Sequence, residues 1–282
     1  MISRFAPAPT GHLHLGHVVN AIYVWGITRA AGGRVVLRIE DHDRQRSRPA
    51  FERALLEDLT WLGFAADGDA DLVRQSERGA IYEAALATLR AQGRVYACEC
   101  SRSGIADASP GGSEPRYPNR CAARGLPEQP GLGLRIRLDP TVERFTDLRL
   151  GPQAQCPAEQ CGDLLVRDRA GNWTYQFAVV VDDCLQGVTH VIRGEDLLAS
   201  TGRQIQLARL LGRAEPPAFL HHPLVMKTPT QKLSKSDGDT GIADLRRRGM
   251  LPADVIGEAA VRAGLLDRAR PLPAEAVGAL FR

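Results

Sequence analysis

The chain has 282 residues, of which 44% are hydrophobic and 24% charged, with a formal net charge of +3 and an isoelectric point near 8.6. That length supports a substantial core in one or two domains, and its apolar runs fall short of the ~18 residues that a spanning helix needs. The start, Met-Ile-Ser-Arg, carries no leader-like pattern, so the expected setting is cytoplasmic, with the six cysteines as thiols or metal ligands rather than disulfides.

The charge neither demands nor opposes a nucleic-acid partner, but the choice of cation is informative. Among 36 basic residues, lysine occurs only at positions 227, 232 and 235. A chain that otherwise uses arginine keeps lysine where a compact, flexible ammonium is wanted.

In chain order, a short strand opens at Ser3–Phe5, followed by a Pro- and Gly-rich turn over Ala6–Gly11. The pattern predicts a helix over Leu15–Ala31, stopped by Gly33, then a β-branched strand over Arg34–Ile39 that ends in Glu40-Asp41. Amphipathic helices are expected near Ala50–Leu62 and Glu77–Gln92. This order argues for an α/β architecture with a parallel sheet covered by helices. The rhythm breaks at Cys98–Pro130, which is rich in Ser, Pro, Gly, Arg and Cys. Alternation returns at Leu134–Leu138 and Leu164–Phe177, with a turn at Ala170-Gly171-Asn172. A strand (Val188–Arg193), a helix (Thr201–Leu211), a strand (His222–Met226) and a helical tail complete the reading. The domain expectation is a sheet domain made of residues 1–95 and 186–240, an insertion over 96–185, and a helical segment over 241–282.

Neither the P-loop nor the dinucleotide fingerprint is present. Instead, Arg4-Phe-Ala-Pro-Ala-Pro-Thr-Gly11 leads from a strand into His14-Leu-Gly-His17 at a helix start, where unpaired amides and the helix dipole favour anions. Gly16 would let the backbone approach a polyphosphate closely. Far downstream, Lys232-Leu-Ser-Lys-Ser236 lies in a polar loop after a strand, placed to neutralise charge that develops on phosphates. Taken singly, His12, His14 and His17 also suit a metal site or a solvated helix start, and a Lys-Ser run suits a solvated loop. Their order and their places at strand ends favour the phosphate reading.

In these two motifs the sequence resembles the class I aminoacyl-tRNA synthetases. The Arg4–Gly11 run, Leu37-Arg-Ile-Glu-Asp41 and Val191-Ile-Arg-Gly-Glu-Asp-Leu197 resemble the glutamyl branch, over about Ser3–Ser236. The resemblance implies a Rossmann-like catalytic domain with a zinc-containing, acceptor-binding insertion and a short helical C-terminal segment. It implies ATP with Mg2+ at His14, Gly16, His17 and Lys235, with His14, His17, Lys232 and Lys235 as the catalytic set. It implies glutamate at Arg4, Ala6, Ala8, Glu40, Tyr175 and Arg193. Elementary chemistry agrees, since a substrate with two carboxylates and one ammonium needs cations and an anion. The bland reading makes Arg4 and Arg193 surface charges and Glu40 a helix cap.

Cys98, Cys100 and Cys121 supply three soft ligands, and tetrahedral zinc wants a fourth from Cys156, Cys161, Tyr117 or a histidine. Chemistry alone favours another cysteine. A Cys-x-Cys…Tyr-x-x-x-Cys pattern in one glutamyl-like subgroup points to Tyr117. Only 46 residues follow Ser236, as expected for the short glutamyl-queuosine paralogues rather than for enzymes with anticodon-reading helical domains. The expected partners are glutamate, ATP and the anticodon stem-loop of a queuosine-containing aspartate tRNA, with no membrane and a monomeric state. The alternatives are a truncated glutamyl-tRNA synthetase, a non-catalytic RNA-binding paralogue and a small-molecule adenylyl ligase.

Overall fold

The structure, a computed structural model, describes residues 1–68, 72–108, 114–228, 231–232 and 241–282. Among these residues the elements run β1 (Ile2–Phe5), α1 (Leu15–Ala30), β2 (Arg34–Ile39), α2 (Pro49–Leu62), β3 (Val73–Arg74), α3 (Gly79–Ala91), β4 (Val95–Cys98) and α4 (Arg102–Asp107). They continue as β5 (Gly133–Ile136), β6 (Glu143–Asp147), β7 (Gly151–Gln155), α5 (Pro157–Gln160), β8 (Leu164–Arg167) and α6 (Tyr175–Leu185). The last are β9 (His190–Gly194), α7 (Thr201–Leu210), β10 (Ala218–His222), β11 (Met226–Thr228), β12 (Gln231–Lys232), α8 (Ile242–Arg247) and α9 (Pro252–Arg262).

Two compact units form. The first comprises Met1–Gln75, Val188–Leu198 and Pro217–Arg282. Its strands β1, β2 and β3 pair in parallel, and β9 pairs in parallel with β10. The Thr189 amide donates to the Ile2 carbonyl at 2.9 Å, which ties the start of β9 to β1. Helix α1 is apolar almost all round, with Val18, Val19, Ile22 and Val24 at most 1% exposed, as a helix buried in the core must be. It stops at a left-handed glycine, but that residue is Gly32 (φ 63°) rather than the expected Gly33. The amides of Gly32 and Gly33 return to the carbonyls of Arg29 and Thr28, closing a Schellman motif. Gly33 has a different reason to be glycine: a Cβ there would lie 2.6 Å from the Met1 carbonyl oxygen. Gly26 likewise admits the C-terminal 3-10 turn Ala274–Phe281, because a Cβ would meet the Phe281 ring at 2.3 Å.

The second unit comprises Ser76–Gly187 and Ala199–Pro216. Its antiparallel sheet has the order β4-β5-β8, and β6 and β7 form a hairpin. Compared with the expected insertion over 96–185, this unit begins earlier and also takes α7. The physical tie is α3 to α6, where Arg78 Nε and the Tyr82 hydroxyl donate to Asp182 at 2.6 and 2.8 Å. Two local expectations need correction. The alternation read through Leu164–Phe177 ends at Arg167, and Tyr175 instead opens α6. The strand expected at His222–Met226 is split between β10 and β11, with Pro223 just past β10, where proline cannot donate to a ladder.

Candidate active site and cysteine cluster

The strand-to-helix turn of the first unit builds the candidate anion site. His14 takes an extended conformation (φ −136°, ψ 175°) as the cap of α1, and its Nδ1 accepts from the Gly16 amide at 3.1 Å. His17 lies three residues on, and its Nδ1 accepts from the His14 amide at 3.1 Å. Both Nδ1 atoms are therefore bare, and each neutral imidazole carries its proton on Nε2 as a donor. The rings lie 4.0 Å apart at 54°. Gly16 leaves the His14 ring its place, since a Cβ would stand 2.9 Å from that ring and push it out of its capping position.

The same turn receives the chain segment downstream of the lysine motif. The Ile242 amide donates to the Leu13 carbonyl at 2.9 Å, and His14 bridges to Gly241 in antiparallel fashion. On the upstream side, β11 and β12 form a hairpin in which Met226 pairs with Lys232. Lys235 and the rest of 233–240 lie outside the described residues, as does the side chain of Lys232.

Arg4, Ala6, Ala8, Glu40 and Arg193 all belong to the first unit. Arg4 and Arg193 are each 4% exposed and Glu40 is 7% exposed, so none of the three is a surface charge. The Arg4 Nη1 donates to the Ile192 carbonyl at 3.4 Å, beside Arg193 in sequence. The Glu40 amide donates to the Pro7 carbonyl at 3.1 Å, which holds the end of β2 to the Ala6–Ala8 turn. Glu40 is itself held by Arg38, Nη2 to Oε1 at 3.0 Å, with Arg38 fully buried. Sequence reasoning missed Arg38, although strand alternation puts residues 38 and 40 on one face. Tyr175 belongs to the second unit, where it begins α6.

In that unit Cys98 ends β4, and the ligand atoms of Cys98, Cys100 and Cys121 lie within 4.8 Å of one another. The Cys100 and Cys121 sulfurs are 3.7 Å apart. For Zn–S bonds of about 2.3 Å the tetrahedral edge is roughly 3.8 Å, so this spacing fits a zinc ion. The Tyr117 hydroxyl lies 3.4 Å from Cys98 Sγ and accepts from the Cys121 amide at 3.1 Å, which puts it at the cluster. Cys161 lies outside this group, with its Sγ 3.2 Å from the carbonyls of Pro157 and Gly162. Burial pushes the Cys121 thiol up, but the Glu99 amide, the Tyr117 hydroxyl and the neighbouring thiols outweigh it and bring it down to about 7. Burial and the adjacent thiols push Cys100 up to about 11.

Above the cluster, Arg135 Nε donates to Cys98 Sγ at 3.3 Å, and its guanidinium covers the Tyr117 ring at 3.6 Å. Gly162 (φ 69°) is obligatory here, since a Cβ would stand 2.0 Å from the Tyr117 carbonyl oxygen. A cavity of about 440 Å³ opens beside the cluster, lined by Cys100, Tyr117, Arg135, Tyr175, Gln176 and Arg203. Tyr175 and the cysteine cluster thus face one space within the second unit.

The family model for the catalytic domain of class I tRNA synthetases (E and Q) matches residues 1–269. The chain belongs to that family. It is a ligase with the Rossmann-like catalytic fold of the class I synthetases. It is 43% identical to the glutamyl-Q tRNA(Asp) synthetase of Symbiobacterium thermophilum, covering 100% of this chain and 92% of that protein. It is 41% identical to the glutamate–tRNA ligase of Nitratidesulfovibrio vulgaris (strain DP4), covering 91% of this chain and 56% of that one. Among solved structures, the glutamate tRNA ligase of Elizabethkingia meningosepticum, determined with its amino acid, matches with a TM-score of 0.80 at 26% identity. That match covers 98% of this chain and 64% of the other, so the chain spans under two thirds of that synthetase. Among the described residues, no helix is long and apolar enough to cross a membrane.

The imidazole cap of this synthetase is open to a direct test. His14→Ala should release the Gly16 amide and cost about 0.5–2 kcal/mol, read as a lower urea midpoint with an unchanged slope. An unshifted midpoint would show that the cap contributes nothing.

Proposed function

We propose that the chain activates L-glutamate with ATP as glutamyl-adenylate and transfers the glutamyl group to the queuosine base at the wobble position of an aspartate tRNA. The observation that carries the first half is the meeting at the α1 start of two imidazoles with fixed Nε2 donors and the backbone root of the lysine segment. The second half is supported by the likeness to the Symbiobacterium protein and by the Cys98, Cys100, Tyr117, Cys121 cluster.

In this reading His14, His17 and the amides around Gly16 hold the ATP phosphates. Arg4 and Arg193 take the carboxylates of glutamate. Glu40 takes its ammonium, oriented by Arg38, with Ala6 and Ala8 leaving room along the backbone. Magnesium would accompany the phosphates and offset their charge. The glutamate α-carboxylate oxygen attacks the α-phosphorus, and the bond to the bridging oxygen breaks to release pyrophosphate, with Lys232 and Lys235 stabilising the growing negative charge. A hydroxyl oxygen of the queuosine cyclopentenediol then attacks the adenylate carbonyl. AMP leaves, and the hydroxyl proton is lost. No protein nucleophile is needed, because positioning and charge stabilisation supply the acceleration.

Zinc would be held by Cys98, Cys100, Cys121 and Tyr117, and its role is structural. The segment from Cys98 to Pro130 has few apolar residues with which to hold itself, and a closed four-ligand site supplies the missing constraint.

Labelled glutamate should be transferred to aspartate tRNA from queuosine-containing cells only, with the label mapping to the anticodon fragment. Label at the 3′ end of glutamate tRNA, independent of queuosine, would make the chain an aminoacyl-tRNA synthetase instead, a reading favoured by the 41% identity to the Nitratidesulfovibrio ligase.

Lys235→Ala should lower glutamate-dependent ATP–pyrophosphate exchange by at least about 10²-fold without shifting thermal unfolding. Near-normal exchange removes the lysine from the mechanism.

Purified protein should carry one zinc per chain by elemental analysis, and Cys98→Ser should lose it together with part of the thermal stability. Wild-type protein free of zinc would end the metal assignment.

A further inference from the structure

Arg193 is a buried guanidinium at the centre of a short support system that the sequence reading did not include. In the parallel register of β9 and β10 it lies opposite His221, which is 0% exposed. The Arg193 Nε–H donates to His221 Nε2 at 3.0 Å, and Nη2 donates to the Leu197 carbonyl at 3.3 Å. Phe219, two residues before His221 and so on the same face of β10, stacks with it at 6.3 Å and 12°. The guanidinium carbon stands 5.8 Å from the centre of that phenyl ring. His222 faces the opposite way and fastens the strand end to α1: its ring stacks on Tyr23 at 4.9 Å and 19°, and Nε2 meets Asn20 Oδ1 at 3.2 Å.

We propose that His221 is a positioning residue for glutamate binding, which acts by holding Arg193 through its bare Nε2. An arginine N–H pointed at an imidazole nitrogen needs the lone pair there, so His221 is neutral with its proton on Nδ1. With Nε committed to His221 and Nη2 also donating to the Leu197 carbonyl, the guanidinium plane is fixed from two sides, which sets the direction in which its Nη end meets a carboxylate. A neutral acceptor orients the arginine without itself adding a negative charge to compete with the substrate. His222 and Tyr23 keep β10 still beneath it.

The inference rests on the reading of Arg193 as a glutamate ligand, so the test separates the two. Three variants are compared in ATP–pyrophosphate exchange with unfractionated tRNA present: His221→Leu, His221→Gln and Arg193→Met. His221→Leu should raise the glutamate KM roughly tenfold, as the loss of a hydrogen bond to a charged group does, while kcat and the ATP KM stay within about twofold. His221→Gln carries an amide oxygen that can take the Nε2 position and should restore the KM to within about threefold of wild type. A wild-type glutamate KM in His221→Leu beside a raised one in Arg193→Met overturns the role of His221 and leaves Arg193 as a ligand. A wild-type KM in Arg193→Met overturns both. An equal rise of both substrate KM values in His221→Leu reports general damage and also overturns the proposal. Nitrogen-15 spectra of histidine-labelled wild-type protein give a check that needs no variant to fold. His221 should show an unprotonated Nε2 and a protonated Nδ1, and the opposite tautomer overturns the proposal.

Discussion

An α-helix leaves its first amides without partners, and most helices answer with a serine, threonine or aspartate oxygen. Here α1 uses imidazoles. A hydroxyl or carboxylate would satisfy the amides and go no further, and a carboxylate would oppose an incoming anion. An imidazole spends Nδ1 on the backbone and keeps an N–H on its far edge, so the cap that stabilises the helix also presents a donor where the phosphates are proposed to bind. Gly16 follows from this, because the ring of His14 occupies the space any Cβ would need. The pairing of Leu13 and His14 with Gly241 and Ile242 makes the same turn the anchor of the lysine segment.

The residues proposed to hold glutamate are governed by a second constraint, the cost of burying charge. A buried guanidinium or carboxylate is costly unless a partner offsets its desolvation. Arg38 meets Glu40 on one face of β2, and Arg193 meets His221 across β9 and β10. Each support sits in a strand interior, where the backbone permits little adjustment. The residues proposed to hold glutamate are therefore held in turn by rigid neighbours, which is how a site distinguishes a carboxylate from an amide.

The second unit solves a different problem. Between β4 and β5 lies a long segment whose described residues form one short helix, pinned by a small cluster of Tyr96, Cys98, Tyr117 and Cys121. Backbone contacts do part of the fastening: the Tyr117 amide reaches the Cys161 carbonyl at 2.9 Å, and Asn119 accepts from the Asp163 amide at 2.9 Å. Arg135 packs flat on Tyr117 and touches Cys98, placing a positive charge against a group of thiols.

The sequence alone determined the α/β class, the helix start at His14, the strand bearing Glu40, and the family, because these depend on local pattern and on short motifs whose spacing is their chemistry. It also grouped Cys98, Cys100 and Cys121 as candidate ligands, since three thiols at that spacing suit one soft metal ion. Its misses have local causes. Gly32 and Gly33 are indistinguishable until φ is known, and the apolar run after His222 continues through Pro223, which ends β10. Arg38 shares a strand face with Glu40 by alternation alone, but no motif marks it. Tertiary structure alone decided that His221 lies opposite Arg193, that Cys161 stays outside the cysteine group, and that α3 belongs with α6 and α7. Those facts depend on which strands and helices become neighbours, and partners 28 residues apart, as His221 and Arg193 are, leave no periodic trace in the chain.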